Sequence, residues 1–177
     1  MQDSSAVIPF PQASFSGKVP IKPKNKDVRN REYLTEKEVE LLITAAKNTG
    51  RHGHRDSTLI LIAYRHGLRA TELVSLRWDQ VDLAEGVLHG NRVQSGAPSV
   101  HPIRGPEIRA LRRIKRDYPV TPYVFVTERK GPLTTSTVRK MVTRAGTNAK
   151  VGFPVHPHML RHACGFKLAN DRSKYWR

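Results

Sequence analysis

Between Arg55 and His66 the chain reads Leu59-Ile60-Leu61-Ile62-Ala63-Tyr64 with almost no polar interruption. A helix that is apolar nearly all round has no face to give to water, so it belongs in an interior with other elements packed about it. Gly67 follows and can end such a helix in the left-handed conformation. The chain then restarts as a short helix from Ala70 to Leu76, with Leu73 and Leu76 directed at the core. In 177 residues, this points to one domain with a substantial core rather than two full-sized domains.

The other elements are expected around that helix. Thr35-Glu36-Lys37-Glu38 has the spacing of a capping box ahead of Val39, Leu41, Leu42, Ala45 and Ala46, so ordered structure should begin there with a helix. Val81 to Ile103 changes period. Gly86-Val87-Leu88-His89 and Val100-His101-Pro102-Ile103 flank the turn-like Gln94-Ser95-Gly96-Ala97-Pro98, which predicts a β-hairpin with a loose tip. Helical spacing returns from Pro106 to about Tyr118 through Ile108, Leu111 and Ile114. Tyr123 to Val126 reads as a short buried strand. After the turn at Gly131-Pro132, Thr134 or Thr135 can cap a helix with Val138, Met141 and Val142 on one face and Arg139, Lys140 and Arg144 elsewhere. Pro157 can open a last helix holding Met159, Leu160, Ala163, Phe166 and Leu168. Residues 1–31 carry Pro9, Pro11, Pro20 and Pro23 and end in Lys22, Lys24, Lys26, Arg29 and Arg31. They read as a disordered basic arm, either a solvated tail or a strand that gains order along phosphates. The expected organisation is this arm followed by a domain over 32–177, of α+β class, mainly α, with a small antiparallel sheet.

Charge narrows the partner. Lys plus Arg number 31 against 15 Asp plus Glu, a net charge of +16, which suits a polyanion. No apolar run approaches a bilayer span and no helix separates a basic face from an apolar face well enough for an interfacial anchor, so nucleic acid is preferred over a membrane. Cys164 is the only cysteine, which excludes an internal disulfide and a cysteine-rich zinc site. With no secretion signal recognised at the N-terminus, a cytoplasmic location, nucleoid-associated on DNA, is the expectation.

Two short motifs carry the chemistry: Gly67-Leu68-Arg69-Ala70-Thr71-Glu72-Leu73 and His156-Pro157-His158-Met159-Leu160-Arg161-His162. On a helix, the spacing i to i+3 puts His158 and Arg161 on one face. Phosphoryl transfer is a reaction that wants two arginines and a histidine together, because charge spreads over the non-bridging oxygens of its transition state. A guanidinium offers a fixed fork of donors to those oxygens, which an ammonium does not, and donors already in place for developing charge are a large part of such catalysis. A histidine can orient the same phosphate or move a proton near neutrality.

The order of these motifs, with the hairpin and the Val124-Phe125-Val126 run between them, resembles the catalytic domain of the tyrosine recombinases, or phage integrases, from about Thr35 to Asn170. The stretch from His156 to Phe166 with Leu168-Ala169-Asn170 is most similar to the fimbrial phase-variation invertases, compact members that lack the separate core-binding domain of longer integrases. The resemblance implies site-specific cutting and rejoining of DNA in integration, excision or inversion. Arg69 and Arg161 would clamp the scissile phosphate, His158 would assist, and Glu72 would support them. Arg92 and Gln94 on the hairpin and Arg139, Lys140 and Arg144 would contact DNA. No cofactor and no metal is implied; His52, His54, His66, His89 and His101 show no ligand spacing.

Two departures from the family pattern shape the expected activity. Where the family has a hairpin lysine, Gln94 stands, which can donate a hydrogen bond but not deliver a proton. Beyond the second arginine the family places further helices and a nucleophilic tyrosine. Here Tyr175 is the only tyrosine after Arg161 and lies in an unrelated context. The expectation is a copy truncated at its C-terminus and inactive alone, since the first transesterification needs a nucleophile. Alternatives are a non-catalytic DNA-binding protein or accessory partner of an intact recombinase, and a poorly folded remnant; on double-stranded DNA the chain is expected as a homo-oligomer or in a mixed assembly with a full-length recombinase. Cys164 reads as a small buried hydrophobe and Trp78 as core or a loop anchor.

Overall fold

A computed structural model of the chain describes residues 33–90 and 99–173. Among the described residues there are six helices and one small sheet: α1 (Glu36–Lys47), α2 (Gly53–His66), α3 (Ala70–Ser75), a 3-10 turn (Trp78–Gln80), β1 (Val81–Asp82), β2 (Val87–Gly90), β3 (Ser99–Pro102), α4 (Gly105–Asp117), α5 (Thr135–Asn148) and α6 (Pro157–Ser173). The class is α+β, mainly α, as the pattern predicts.

Helix α2 is the centre. Leu59, Ile60, Ile62, Ala63 and Tyr64 are all buried, and α1, α4 and α6 pack against it. Helix α1 starts at the predicted capping box: Thr35 Oγ1 accepts from the Glu38 N–H at 3.3 Å and Glu38 Oε2 accepts from the Thr35 N–H at 2.7 Å, which satisfies two donors of the first turn. Of the two candidate caps for α5, Thr134 is the one used; its hydroxyl accepts from the Thr137 N–H at 3.1 Å.

The expected hairpin is present as β2 and β3, paired antiparallel with Leu88 opposite His101 and His89 opposite Val100. A third strand, β1, adds to the other side of β2 in the order β1-β2-β3. Two residues were too short a run to be read as a strand in the sequence. The expected tip, residues 91–98, lies outside the described residues, as does the whole arm expected over 1–31.

Tyr123–Val126 is a correction. Val124, Phe125 and Val126 are fully buried as expected, but they form no strand, only the single bridges Arg77 to Tyr123 and Val126 to Pro132. Their backbone groups are spent on separate partners: the Val124 N–H donates to Leu76 O at 2.9 Å, Phe125 O accepts from the Leu133 N–H at 3.3 Å, and Val126 O accepts from Arg55 Nη1 at 2.8 Å. A short apolar run signals burial, and its hydrogen-bonding partners are set elsewhere.

A second difference concerns α6. Met159, Leu160, Ala163 and Cys164 are buried, whereas Phe166 and Leu168 are 47% and 58% exposed. At 100° per residue these two fall on opposite margins of the buried stripe, and Lys167 between them reaches Glu36 of α1 with its ammonium 5.8 Å from the Tyr64 ring centroid. Phe166 stacks instead on Tyr33, ring centroids 4.5 Å apart. Trp78 packs partly buried against the core, and its backbone N–H donates to Pro122 O at 2.9 Å. Among the described residues no helix is long and apolar enough to cross a membrane.

Candidate active site

The site is built at the C-terminal end of α2. Gly67 closes that helix with φ +62°, a left-handed turn that glycine adopts without the steric cost other residues meet. Two residues on, Arg69 is the N-cap of α3. Glu72, in the first turn of α3, reaches back so that its Oε2 accepts from the Arg69 N–H at 2.7 Å, one half of a capping box.

Helix α6 arrives against the same turn. Arg161 Nη1 donates to Gly67 O at 2.6 Å, and one turn later the Cys164 thiol lies 3.6 Å from Arg65 O. A Cβ on Gly67 would stand 3.3 Å from Cys164 Sγ, so the small residue also allows α6 to come this close. The last carbonyls of α2 carry the negative end of its dipole, a favourable place for a guanidinium.

Glu72 joins the two arginines. Its Oε1 lies 3.4 Å from Arg69 Nη1 and its Oε2 4.0 Å from Arg161 Nη1. The carboxylate is only 9% exposed, while the Arg69 and Arg161 side chains are 41% and 34% exposed. A buried anion thus holds two partly open cations with donors left for an external anion. His158, one turn before Arg161 on α6, is exposed, and its ring meets His162 edge-on with centroids 4.5 Å apart. The i, i+4 spacing of the two histidines makes this pairing readable in the sequence, yet His162 was not among the expected site residues. The role of the Gly67 carbonyl had no sequence signal at all.

Other expected positions are placed as follows. Arg139 and Lys140 are exposed on α5, away from buried Val138, Met141 and Val142. Arg144 is engaged: its Nη2 lies 3.3 Å from Oδ2 of buried Asp56, whose other oxygen accepts from Arg55 Nε and Nη2 at 2.9 and 2.7 Å. Arg92, Gln94 and Tyr175 lie outside the described residues. Burial raises the Cys164 thiol pKa, against the opposing pull of Arg161 and Lys167, the wrong direction for a nucleophile. Tyr64 lines the same cleft as Arg161; burial raises its pKa as well, chiefly over the lowering effect of Lys167. Among the described residues no group of three or more His, Cys, Asp or Glu side chains could hold a metal ion.

This arrangement can bind a phosphodiester and stabilise charge on its non-bridging oxygens. Comparison with known proteins agrees with that chemistry. The chain is 38% identical over 153 residues to the type 1 fimbriae regulatory protein FimB of Escherichia coli strain K12, covering 83% of this chain and 76% of that protein. The crystal structure of XerA recombinase superposes with a TM-score of 0.70 at 26% identity, covering 82% of this chain and 53% of that one, so this chain spans about half of the XerA chain. A site-specific recombinase XerH bound to its difH substrate, 19% identical with a TM-score of 0.70, shares the fold. The phage integrase family pattern matches residues 32–174, and the chain belongs to that family as a tyrosine recombinase catalytic domain.

Proposed function

We propose that this chain binds double-stranded DNA and holds one phosphodiester between Arg69 and Arg161 for site-specific recombination, inversion being the outcome suggested by the resemblance of its His156 to Phe166 stretch to the fimbrial invertases. The observation that carries this reading is one buried carboxylate, Glu72, lying within 4.0 Å of two guanidinium groups from distant parts of the chain. Each fork donates to the non-bridging oxygens as a tyrosine oxygen attacks phosphorus and the 5′-oxygen leaves with a proton, giving a 3′-phosphotyrosyl bond. His158, one turn from Arg161, orients the phosphate or moves that proton. Arg92 and Gln94 on the hairpin, together with Arg139, Lys140 and the basic arm of residues 1–31, add phosphate contacts that fix position without reading bases. Several copies, or this chain with a full-length recombinase, assemble on the DNA.

These residues bind DNA without cleaving it unless a tyrosine is supplied to the site from another protomer. Tyr64, the tyrosine lining the cleft of Arg161, is buried with a raised pKa, which disfavours the phenolate an attack on phosphorus needs. The test uses a nicked suicide duplex carrying candidate sites and a denaturing gel. The donor is a full-length relative that keeps its tyrosine but has its own first-box arginine substituted. A covalent adduct on the donor, abolished by Arg69→Ala or Arg161→Ala in this chain, is the expected result. An adduct formed by this chain alone and removed by Tyr175→Phe would refute the nucleophile assignment, and absence of DNA binding would refute the whole reading.

A further inference from the structure

Helix α4 carries a charged face that the recombination site does not use. Its inner side is fixed by Leu111 and Ile114, both fully buried. At 100° per residue, Arg109, Arg112, Arg113 and Arg116 fall within one arc of about 100° opposite that buried stripe, and all four are exposed. Asp117 lies 3.6 Å from Arg113 Nε, and Arg112 Nη2 leans on Leu83 O at 3.3 Å. The helix runs antiparallel to α2, because His66 Nε2 meets Glu107 Oε1 at 2.7 Å near its start and His52 Nδ1 meets the Tyr118 hydroxyl at 3.0 Å at its end. The arginine stripe therefore leads away from the end of α2 that holds Gly67 and Arg69.

We infer that this face of α4 is a second contact surface for double-stranded DNA, separate from the Arg69 and Arg161 pair. Arg109 to Arg116 spans about 10 Å of helix, which matches about three successive phosphates of one strand at about 3.4 Å of axis each. Guanidinium forks suit phosphate oxygens. An anionic membrane is disfavoured because the apolar stripe that would enter it is already packed in the core. The proposal extends the DNA-binding reading above, and the experiment separates the two.

Binding of a 30-base-pair duplex is followed by anisotropy across salt concentrations for the unaltered chain, a variant with Arg109, Arg112, Arg113 and Arg116 all changed to Gln, and one with all four changed to Lys. Thermal unfolding confirms that the folds are equal. The Gln variant is expected to lower the slope of log affinity against log salt by about 2.5, the Lys variant to restore it, and the same loss to appear in an Arg69→Gln, Arg161→Gln background. A slope unchanged by the Gln substitutions while the duplex still binds overturns this inference alone. An unchanged slope combined with lost retention on polyglutamate overturns it in favour of an acidic protein partner. No duplex binding by the unaltered chain overturns the DNA reading itself.

Discussion

Glu72→Gln separates the charge of the central carboxylate from its shape. The amide keeps an oxygen for the Arg69 N–H, now 2.7 Å from Glu72, but loses its attraction for guanidinium groups at 3.4 and 4.0 Å. Both arginines are more than a third exposed, so each pair contributes in the partly solvated range of about 0.2–1 kcal/mol rather than the full Coulomb value. With some weakening of the reach-back bond, the total loss is about 1–2 kcal/mol, or about 3–6 °C in Tm for a domain of this size. Glu72→Ala also leaves the cap donor unpaired and should cost about 1 kcal/mol more. Function should respond in the opposite sense for binding and for chemistry. Removing an anion from between two cations raises the local positive potential, so duplex affinity should hold or increase. Adduct formation with the tyrosine donor should fall about tenfold or more, because the forks lose their alignment. Thermal unfolding, anisotropy and the suicide-substrate gel give the three readouts. A Glu72→Gln variant as stable as the parent and equally active in the complemented gel would refute the idea that this carboxylate organises the site.

Three further outcomes follow from the packing and charge of the domain. At Gly146 an added Cβ would meet Val155 Cγ2 at 2.6 Å, so Gly146→Ala should destabilise by about 1–3 kcal/mol through overpacking, read as a lower urea midpoint at unchanged m. Asp56 is 4% exposed between Arg55 and Arg144, whereas Arg144 is 57% exposed. Asp56→Ala should therefore cost about 3–5 kcal/mol by leaving Arg55 unpaired, and Arg144→Ala under about 1 kcal/mol; equal costs would contradict this burial argument. For Glu107, burial pushes the carboxyl pKa up, but hydrogen bonds from His66 and the Arg104 N–H more than reverse it and hold it below its ordinary value of 4.5. A depressed folded pKa gives stability that is present above the unfolded pKa and lost as pH falls through the folded one. Glu107→Gln should flatten the stability curve below about pH 4.5, measured by urea unfolding at a series of pH values.

The elements that could be read along the chain are those whose cause is local. The all-round apolar run fixed α2 as the interior helix, Thr35 and Glu38 marked the start of α1, Thr134 the start of α5, and Gly67 the end of α2, because periodicity and capping act within a turn or two. The two arginine motifs were legible for the same reason, since spacing alone places His158 and Arg161 together on one helix face. Phe166 and Leu168 misled, being apolar but at the edges of the stripe, where exposure depends on what lies alongside. Val124-Phe125-Val126 was legible as buried but not as irregular.

Tertiary structure decided everything that joins distant residues. Arg161 reaches Gly67 O across 94 positions, Arg55 reaches Val126 O across 71, and Arg144 reaches Asp56 across 88. It also gave Arg144 a buried acid, Asp56, as its partner, and made Glu72 the common counter-charge of Arg69 and Arg161. The amino-acid order by itself determined which helices form and which family motifs they carry. Only the packing of α6 on the end of α2 decided that two arginines share one carboxylate, because that distance is fixed by how helices dock and not by any local preference of the chain.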